Sequence, residues 1–339
     1  MQKSELTGII DLLSTSRKIL ITTHTNPDGD AIGSSLALFG YLSRKGHDVS
    51  VMIPDPDPGF LKWMPFHSNI LVFREQQEIC LPLIAGAEVI FCVDFNGLGR
   101  LSSVEQPVRN TKVKKILIDH HRGPENDFDY RLSVIETSST CEIIYDFIAA
   151  CGDADLIDHD IASCIYAGII TDTGSFSYSC NYEKTYLITA DLYRRGIDGE
   201  HIHRLVYDTY SESRLRLLGY SISEKLSVLH EYHTAYIALS ADDLDRFNYQ
   251  VGDTEDIVNY ALSIDGINFA ALFSERDGVV RVSFRSKGNF SVNDIAQKYF
   301  DGGGHVNAAG ANSYRSLDET VRIFVGMLPE YREKLESVY

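Results

Sequence analysis

Short apolar runs alternate with helical patterns through the first half of this 339-residue chain, and this alternation constrains the fold more than any other feature. The apolar runs are bounded by turn residues and predict strands at residues 18–23, 49–53, 89–95 and 115–118. Helical spacing of apolar residues predicts helices at residues 30–45, 140–150 and 161–170. Continuous apolar strands separated by helices indicate an α/β domain, in which a parallel sheet carries helices on both faces.

The pattern changes in the second half of the chain. From about residue 182 to residue 229 it is helical and rich in charge, which predicts a helical linker. Further apolar runs predict strands at residues 234–239, 269–274 and 279–284, and a hairpin turn at 275–278 joins the last two. These strands predict a smaller α+β domain with a mixed sheet. The expected divisions are a first domain over 1–197, a helical connector over 198–228 and a second domain over 229–339.

The charge balance restricts the class of partner. The chain carries 48 acidic and 31 basic residues, for a net charge of −17. This balance argues against a protein that binds long nucleic acid, because such binding requires a basic surface. It does not exclude a short anionic substrate, since bound cations reverse the local field of a carboxylate-rich site.

Membrane and secretion signals are not evident in the sequence. No apolar stretch reaches the roughly 18–20 residues that a membrane-spanning helix needs, and the N-terminus has no secretory pattern. The six cysteines contain no C-x-x-C pair, which favours reduced, buried thiols. We therefore expect a cytoplasmic protein that does not bind membranes. A homodimer is compatible with the sequence.

Aspartate and histidine residues cluster where the predicted strands end. One cluster follows the first strand, one aspartate ends the third strand, an Asp-His-His triplet follows the next strand, and another aspartate follows an apolar helix. The clusters contribute two imidazoles and four carboxylates, from His24, Asp28, Asp30, Asp94, His120 and Asp172. Because the carboxyl ends of parallel strands share one edge, we expect these side chains to meet there. Asp30 taken alone would equally suit a helix N-cap.

Six such ligands are too many for a single small cation and suit two of them. Imidazole together with carboxylate fits manganese, magnesium, iron or zinc. Two divalent ions about 3.5–4 Å apart lower the pKa of a bridging water and bind a phosphoryl oxygen. The residues therefore predict hydrolysis of a phosphoester or a phosphoanhydride.

Four segments, in order, resemble the motifs of the DHH phosphoesterase superfamily. They are His24-Thr-Asn-Pro-Asp28-Gly-Asp30, then Asp94, then Asp119-His120-His121, then Asp172-Thr-Gly. The second domain also resembles the DHH-associated C-terminal domain, through Gly302-Gly303-Gly304-His305 followed by Ala308-Ala309-Gly310. The resemblance covers nearly the whole chain.

The resemblance implies roles for the motif residues. It makes the six clustered residues metal ligands, with Asp94 bridging both ions. It makes Asp94, His120, His121 and Asp119 the catalytic set, in which His121 faces the substrate phosphate and Asp119 orients the histidines. It also implies two divalent cations as cofactors, manganese first, with magnesium or cobalt as alternatives.

The second domain is expected to recognise the substrate. Arg285 and Ser286 end a predicted strand, and Gly302, Gly303, Gly304 and His305 predict a flexible turn. Exposed glycine N–H groups and an arginine can hold phosphate, and the resemblance favours this role. The alternatives are a loop that needs positive φ and a solvated charge. Arg100 in the first domain is a further candidate for substrate contact.

Three features favour the nanoRNase branch of bifunctional oligoribonucleases within the superfamily: the two-domain length, the acidic charge and the glycine–histidine motif. The expected reactions are hydrolysis of very short oligoribonucleotides, including pGpG, to mononucleotides and of adenosine 3′,5′-bisphosphate to AMP. Cyclic-dinucleotide phosphodiesterase and exopolyphosphatase remain alternative activities. A nucleotide-sensing binding protein would be expected to lack a metal ligand, and no motif residue is missing.

Overall fold

The structure, a computed structural model, describes residues 3–338. The chain divides into two compact units, a first unit over Met1–Thr209 and a second unit over Tyr210–Tyr339. The division falls inside the stretch 198–228, where one helix belongs to each unit. Among the described residues, no helix combines the length and the apolar character that crossing a bilayer requires.

The first unit contains a sheet whose strands are all parallel, in the order β3-β2-β1-β4-β5-β6. The strands are β1 Lys18–Thr22, β2 Asp48–Ile53, β3 Ile70–Val72, β4 Val89–Val93, β5 Lys114–Asp119 and β6 Tyr130–Ser133. The strands predicted at β1, β2, β4 and β5 are confirmed. Strands β3 and β6 were not predicted; they are short and mostly only partly buried, and they form the two edges of the sheet.

Helices cover both faces of this sheet. They are α1 Lys3–Leu12, α2 Gly29–Arg44, α3 Gln77–Gly86, α4 Glu105–Arg109, α5 Thr140–Ala150, α6 His159–Asp172, α7 Glu183–Arg194 and α8 Gly199–Tyr207. Adjacent residues of β1 belong to two different apolar clusters. Ile21 packs with residues of α2, α5 and α6, whereas Leu20 packs with residues of α3. Alternating side chains of a strand point to opposite faces. The predicted α/β class, with helices on both faces, is therefore confirmed.

The second unit has a mixed sheet in the order β11-β12-β10-β9-β8-β7, with a parallel pair at β8 and β9. Its strands are β7 Leu226–Leu229, β8 Thr234–Leu239, β9 Phe269–Arg276, β10 Val279–Ser286, β11 Asp301–Gly304 and β12 Ala308–Ser313. Its helices are α9 Glu212–Glu224, α10 Ala241–Arg246, α11 Ile257–Leu262, α12 Val292–Tyr299, α13 Leu317–Met327 and α14 Arg332–Glu336. The predicted hairpin is confirmed: Asp277 and Gly278 have φ of 53° and 74° between β9 and β10, as a tight two-residue turn requires.

The glycine segment differs from its prediction. Gly302, Gly303 and Gly304 form β11, an edge strand that pairs with β12, so the expected turn is wrong. The two strands approach so closely that a Cβ on Gly302 would overlap the carbonyl oxygen of Gly310. Glycine is a poor strand former, and only this close pairing with β12 makes the segment a strand.

Candidate metal centre

The residues predicted as ligands follow strands that are neighbours in the first unit. Strand β1 pairs with β4, and β4 pairs with β5, all in parallel, so that their carboxyl ends lie side by side. From β1 the chain continues to β2 on one side of the sheet, whereas from β4 it continues to β5 on the other side. A reversal of this kind opens a crevice at the strand ends, where open α/β sheets bind ligands.

Asp94 lies between two histidines in this crevice. Its Oδ2 is 3.5 Å from His24 Nε2, and its Oδ1 is 3.5 Å from His120 Nε2. His120 Nε2 is also 3.4 Å from Asp172 Oδ2 and 3.9 Å from Asp30 Oδ2. One carboxylate therefore faces imidazoles from two different strands with its two oxygens.

The predicted ligands fall into two groups of three among the described residues. Within each group, one ligand atom per residue lies within 4.8 Å of the others. The groups are His24, Asp28 and Asp94, and Asp30, His120 and Asp172. All six predicted ligands are thus brought together, as two triads that Asp94 connects. Such an arrangement has donors for two divalent cations.

Asp28 and Asp94 are held by local backbone geometry. Asp28 Oδ1 accepts hydrogen bonds from the N–H groups of Asp30 (3.1 Å) and Ala31 (3.0 Å). The N-cap of α2 is therefore Asp28, and the alternative that Asp30 is the cap is wrong. Asp94 comes directly after β4 with a φ of 65°, in the left-handed region. A non-glycine residue there costs about 1 kcal/mol, so the surrounding contacts hold Asp94 in place.

Asp30 is buried against the first turn of α5. Its Oδ2 accepts from the backbone N–H of Thr140 at 2.7 Å, and its Oδ1 accepts from that of Cys141 at 2.9 Å. The Thr140 hydroxyl donates to Asp94 Oδ1 at 2.9 Å. These donors were not predicted from the sequence. The available signal was Ser139, an N-cap residue before an apolar helix, since helix N-termini bind anions.

Hydrogen bonds at Nδ1 set the tautomers of two histidines. His24 Nδ1 lies 2.8 Å from the carbonyl oxygen of Thr25, which can only accept, so the proton is on Nδ1 and Nε2 carries the lone pair. His121 Nδ1 lies 2.7 Å from Asp119 Oδ1. Asp119 is fully buried, and its Oδ2 has no hydrogen-bond partner among the described residues.

The electrostatics of the site suit cations. Burial, followed by the neighbouring Asp172 carboxylate, raises the pKa of Asp30 to about 6. Burial and then Asp30 raise the pKa of Asp94 well above its usual range. Burial also lowers the pKa of His24 and of His120, which favours neutral imidazoles. Neutral imidazoles and crowded carboxylates are donors for a divalent cation, whose charge relieves the repulsion between the carboxylates. The donor set therefore fits divalent cations.

Arg100 and His121 lie beside this centre. Arg100 is exposed, and its carbonyl oxygen accepts from the N–H of Thr25 at 2.9 Å. Burial alone would lower the pKa of His121, but the hydrogen bond with Asp119 and the negative charges of Asp119 and Asp172 together outweigh burial and raise that pKa.

The other residues predicted to contact substrate lie in the second unit. Arg285 is half-buried near the end of β10, in register with Ala308 of β12, and Gly304 of β11 pairs with the next residue of β12. Gly304 N–H donates to Asn293 Oδ1 at 2.9 Å. The Ser286 hydroxyl is buried and donates to Phe290 O at 2.6 Å.

These residues occupy one end of the sheet of the second unit. Gly302 and Gly303 precede Gly304 in β11, and half-buried His305 follows it with its N–H donating to Ala308 O at 2.7 Å. The structure thus places the predicted substrate contacts of this unit at β10 and β11, on either side of β12.

Comparisons with known proteins agree with this arrangement. Residues 18–169 match the DHH family, N-terminal domain, and residues 231–328 match the DHHA1 domain. A protein of Bacillus subtilis (strain 168), called bifunctional oligoribonuclease and PAP phosphatase NrnA, is 30% identical over 329 residues, covering 96% of this chain and 97% of that protein. The chain belongs to the DHH family. The resemblance drawn from its motifs is confirmed.

Solved structures of related proteins share the fold of this DHH protein. An exopolyphosphatase-related protein from Bacteroides fragilis is 39% identical with a TM-score of 0.94, covering 99% of this chain and 98% of that chain. Exonuclease RecJ bound to manganese is 14% identical with a TM-score of 0.54, covering 100% of this chain and 98% of that chain. The similarity to RecJ is one of fold alone.

Proposed function

We propose that this DHH protein is a metal-dependent phosphoester hydrolase that cleaves very short oligoribonucleotides, including pGpG, to mononucleotides. The same site would release the 3′-phosphate of adenosine 3′,5′-bisphosphate to leave AMP. The observation that carries the proposal is the pair of carboxylate–imidazole triads joined by Asp94. The Bacillus subtilis relative, whose name describes both activities, supports this choice of substrates.

Two divalent cations would be held by the two triads, with Mn²⁺ as the proposed ion and Mg²⁺ or Co²⁺ as alternatives. Carboxylate oxygens and neutral imidazoles suit all three ions. When bound, such a pair supplies a water nucleophile of low pKa and neutralises charge on a phosphoryl oxygen. The relative RecJ, whose structure contains manganese, supports Mn²⁺ as the first ion to test.

The protein's own residues orient the reacting groups. Asp94 would contribute one oxygen to each triad, held by the Thr140 hydroxyl. Asp119 holds Nδ1 of His121, and His121 would face the phosphate of the substrate. Asp119 would therefore act on the substrate only through His121.

Recognition of the substrate is assigned to the second unit, with Arg100 as a contribution from the first. Arg285 would bind phosphate oxygens, and Gly302, Gly303, Gly304, Ser286 and His305 would shape the surrounding surface. The net charge of −17 disfavours long polyanions, which gain affinity from many phosphate contacts. We also assign the protein to the cytoplasm, where its free cysteines would remain reduced.

Substrate profiling tests this function. The purified chain with Mn²⁺ is incubated separately with pGpG, adenosine 3′,5′-bisphosphate, a cyclic dinucleotide and linear polyphosphate, with the Asp94→Asn variant as the matched control. We expect mononucleotide release from pGpG and phosphate release from the bisphosphate by the wild-type chain only. Turnover confined to polyphosphate or to the cyclic dinucleotide would contradict the proposal.

Polyphosphate hydrolysis is the second candidate function. It is favoured by the similarity to the Bacteroides fragilis protein, which is described as exopolyphosphatase-related. The same experiment separates the two candidates, because their products differ. Orthophosphate released from polyphosphate faster than mononucleotides from pGpG would favour the second candidate.

A further inference from the structure

Thr25 links the candidate metal centre to two other segments of the first unit. Its carbonyl oxygen accepts from His24 Nδ1 at 2.8 Å, and its N–H donates to the carbonyl oxygen of Arg100 at 2.9 Å. Its hydroxyl donates to the carboxylate of Asp55. A residue next to a predicted ligand is therefore held through its N–H, its carbonyl group and its side chain.

Asp55 is a well-placed anchor for this link. It follows β2 between Pro54 and Pro56, which restrict the backbone on both sides. The segment is tied to the next strand by hydrogen bonds from Phe73 N to Ile53 O (2.9 Å) and from Arg74 N to Pro54 O (3.2 Å). The Arg74 guanidinium also lies 3.9 Å from Asp55 Oδ1. The carboxylate that accepts from Thr25 is thus fixed to the sheet.

We propose that Asp55 and Thr25 position His24 for binding a divalent cation. This inference rests on the proposed function, in which His24 Nε2 is a metal ligand. Metal-bound histidines commonly donate their other N–H to a carbonyl or carboxylate, which fixes the tautomer and the ring orientation. In this protein the acceptor is the Thr25 carbonyl, and the Asp55 carboxylate holds Thr25 in the position that the His24 ring requires. Both are positioning residues, because they act through His24.

Asp57 offers a matched comparison on the same loop. It lies two residues after Asp55, and its Oδ2 is 2.8 Å from His67 Nε2. Asp57 carries the same charge as Asp55, but it contacts His67, which is not among the predicted ligands, and not Thr25. A general effect of weakening this loop should appear in variants of either aspartate, whereas an effect on His24 should follow Asp55 alone.

The test measures the affinity and stoichiometry of Mn²⁺ by the electron paramagnetic resonance of free Mn²⁺, together with the melting temperature. The variants are Thr25→Val, Thr25→Ser, Asp55→Ala, Asp55→Asn and, as the control, Asp57→Asn. We expect Thr25→Val and Asp55→Ala to lower the affinity for one of the two Mn²⁺ ions about tenfold to a hundredfold. Thr25→Ser retains the hydroxyl and Asp55→Asn retains an acceptor, so both should recover most of the affinity. Asp57→Asn should bind as the wild-type chain does.

The outcomes separate this inference from the proposed function. Variants that melt earlier but bind both Mn²⁺ ions as tightly as the wild-type chain would overturn the positioning role and leave the proposed function intact. A wild-type chain that binds no Mn²⁺ would overturn both. If Asp55→Ala does not fold, the comparison of Thr25→Val with Thr25→Ser decides the question, because the two side chains differ in the hydroxyl that contacts Asp55.

Discussion

The Asp30 carboxylate accepts a hydrogen bond from the backbone N–H of Thr140 at 2.7 Å, across 110 residues of sequence. The Thr140 hydroxyl donates in turn to Asp94 at 2.9 Å. The first turn of α5 therefore holds two of the predicted ligands, each of which comes from a different part of the sheet edge. The positive end of the helix partly offsets the charge of the carboxylates, and a divalent cation would complete the neutralisation.

Replacing Asp94 by asparagine should stabilise the protein in chelator and abolish turnover. Asp94 is buried beside several carboxylates, so the loss of its charge relieves repulsion on the order of 1 kcal/mol, or about 2–4 °C in melting temperature. Asparagine also tolerates the left-handed backbone of this position. Mn²⁺ should raise the melting temperature of the wild-type chain only.

Asp277→Asn is the control for this substitution. Asp277 also has a positive φ, 53°, but lies in the hairpin turn of the second unit. The variant should respond to Mn²⁺ as the wild-type chain does. If Asp94→Asn still gained stability from Mn²⁺ as the wild-type chain does, Asp94 would not be a shared ligand.

Chelation should remove activity reversibly. With EDTA the wild-type chain should not hydrolyse pGpG, and added Mn²⁺ should restore the rate, because the nucleophile depends on bound cations. Mn²⁺ at a hundredfold excess over its dissociation constant should add about 2.7 kcal/mol to the free energy of unfolding for each ion bound. Calorimetry measures the gain in stability, and mononucleotide release from pGpG measures the rate. Turnover that survives exhaustive chelation would rule out this mechanism.

Replacing two helical glycines by alanine should change the stability in opposite directions, because one of them packs closely behind Asp30 and the other does not. A Cβ on Gly168 of α6 would overlap the Cys141 sulfur and lie 2.8 Å from Asp30 Oδ1. Gly168→Ala should therefore destabilise the protein by about 1–3 kcal/mol and weaken Mn²⁺ binding. Gly219 of α9 has open space around it, so Gly219→Ala should stabilise the helix by about 0.5–1 kcal/mol. Denaturant unfolding measures both changes, and equal effects of the two substitutions would contradict the packing argument.

The central strands and the edge that carries the site could be predicted from the sequence. Strands β1, β4 and β5 are continuous apolar runs, and parallel strands necessarily bring their carboxyl ends to one edge. Strands β3 and β6 could not be predicted, because they have only three and four residues, and a single one of these, Leu132, is fully buried.

The contacts that hold the site together could not be predicted from the sequence either. The pairing of Asp30 with α5 uses backbone donors, which have no residue identity, and the link from Asp55 to His24 depends on how β2 lies beside β1. The glycine segment was assigned to a turn because glycine disfavours strands, and only its pairing with β12 overrides that preference.

The stability of the second unit should fall at acid pH as Asp243 becomes protonated. Burial would raise its pKa, but hydrogen bonds from Lys225, Tyr220 and Ser240 outweigh burial and lower the pKa to about 2. The folded pKa lies below the unfolded value of about 3.9, so the stabilisation is present above pH 4 and is lost as pH falls toward 2. Its size at neutral pH is about 2 kcal/mol.

Denaturant unfolding at a series of pH values checks this prediction. Asp243→Asn should be less stable than the wild-type chain at pH 7, and the two free energies should converge near pH 2. Glu319 is the matched control, because it completes a similar capping box on α13 but is exposed. Glu319→Gln should have the smaller effect, and a constant difference between Asp243→Asn and the wild-type chain from pH 7 to pH 2 would contradict the assignment.

Substitutions in the second unit should affect nucleotide substrates more than simple esters. Arg285→Ala and His305→Ala each remove a predicted contact to the substrate. Loss of one charge-assisted contact to phosphate costs about 1.5–3 kcal/mol, which is about tenfold to a hundredfold in affinity. We therefore expect kcat/KM for pGpG to fall by that factor, while hydrolysis of bis(p-nitrophenyl) phosphate, which lacks the nucleosides and the terminal phosphate of pGpG, stays near the wild-type rate.

Arg281→Ala controls for the loss of a positive charge from the same strand. Arg281 lies on β10 four residues before Arg285, is exposed, and donates to Asn312 Oδ1 at 2.7 Å. Because no substrate contact is assigned to it, its removal should leave kcat/KM for both substrates close to the wild-type values. If Arg285→Ala instead reduced the rates on pGpG and on the simple ester equally, Arg285 would act in catalysis or in folding. The assignment of recognition to the second unit would then be wrong, because recognition requires a loss confined to the substrate that carries nucleosides and a terminal phosphate.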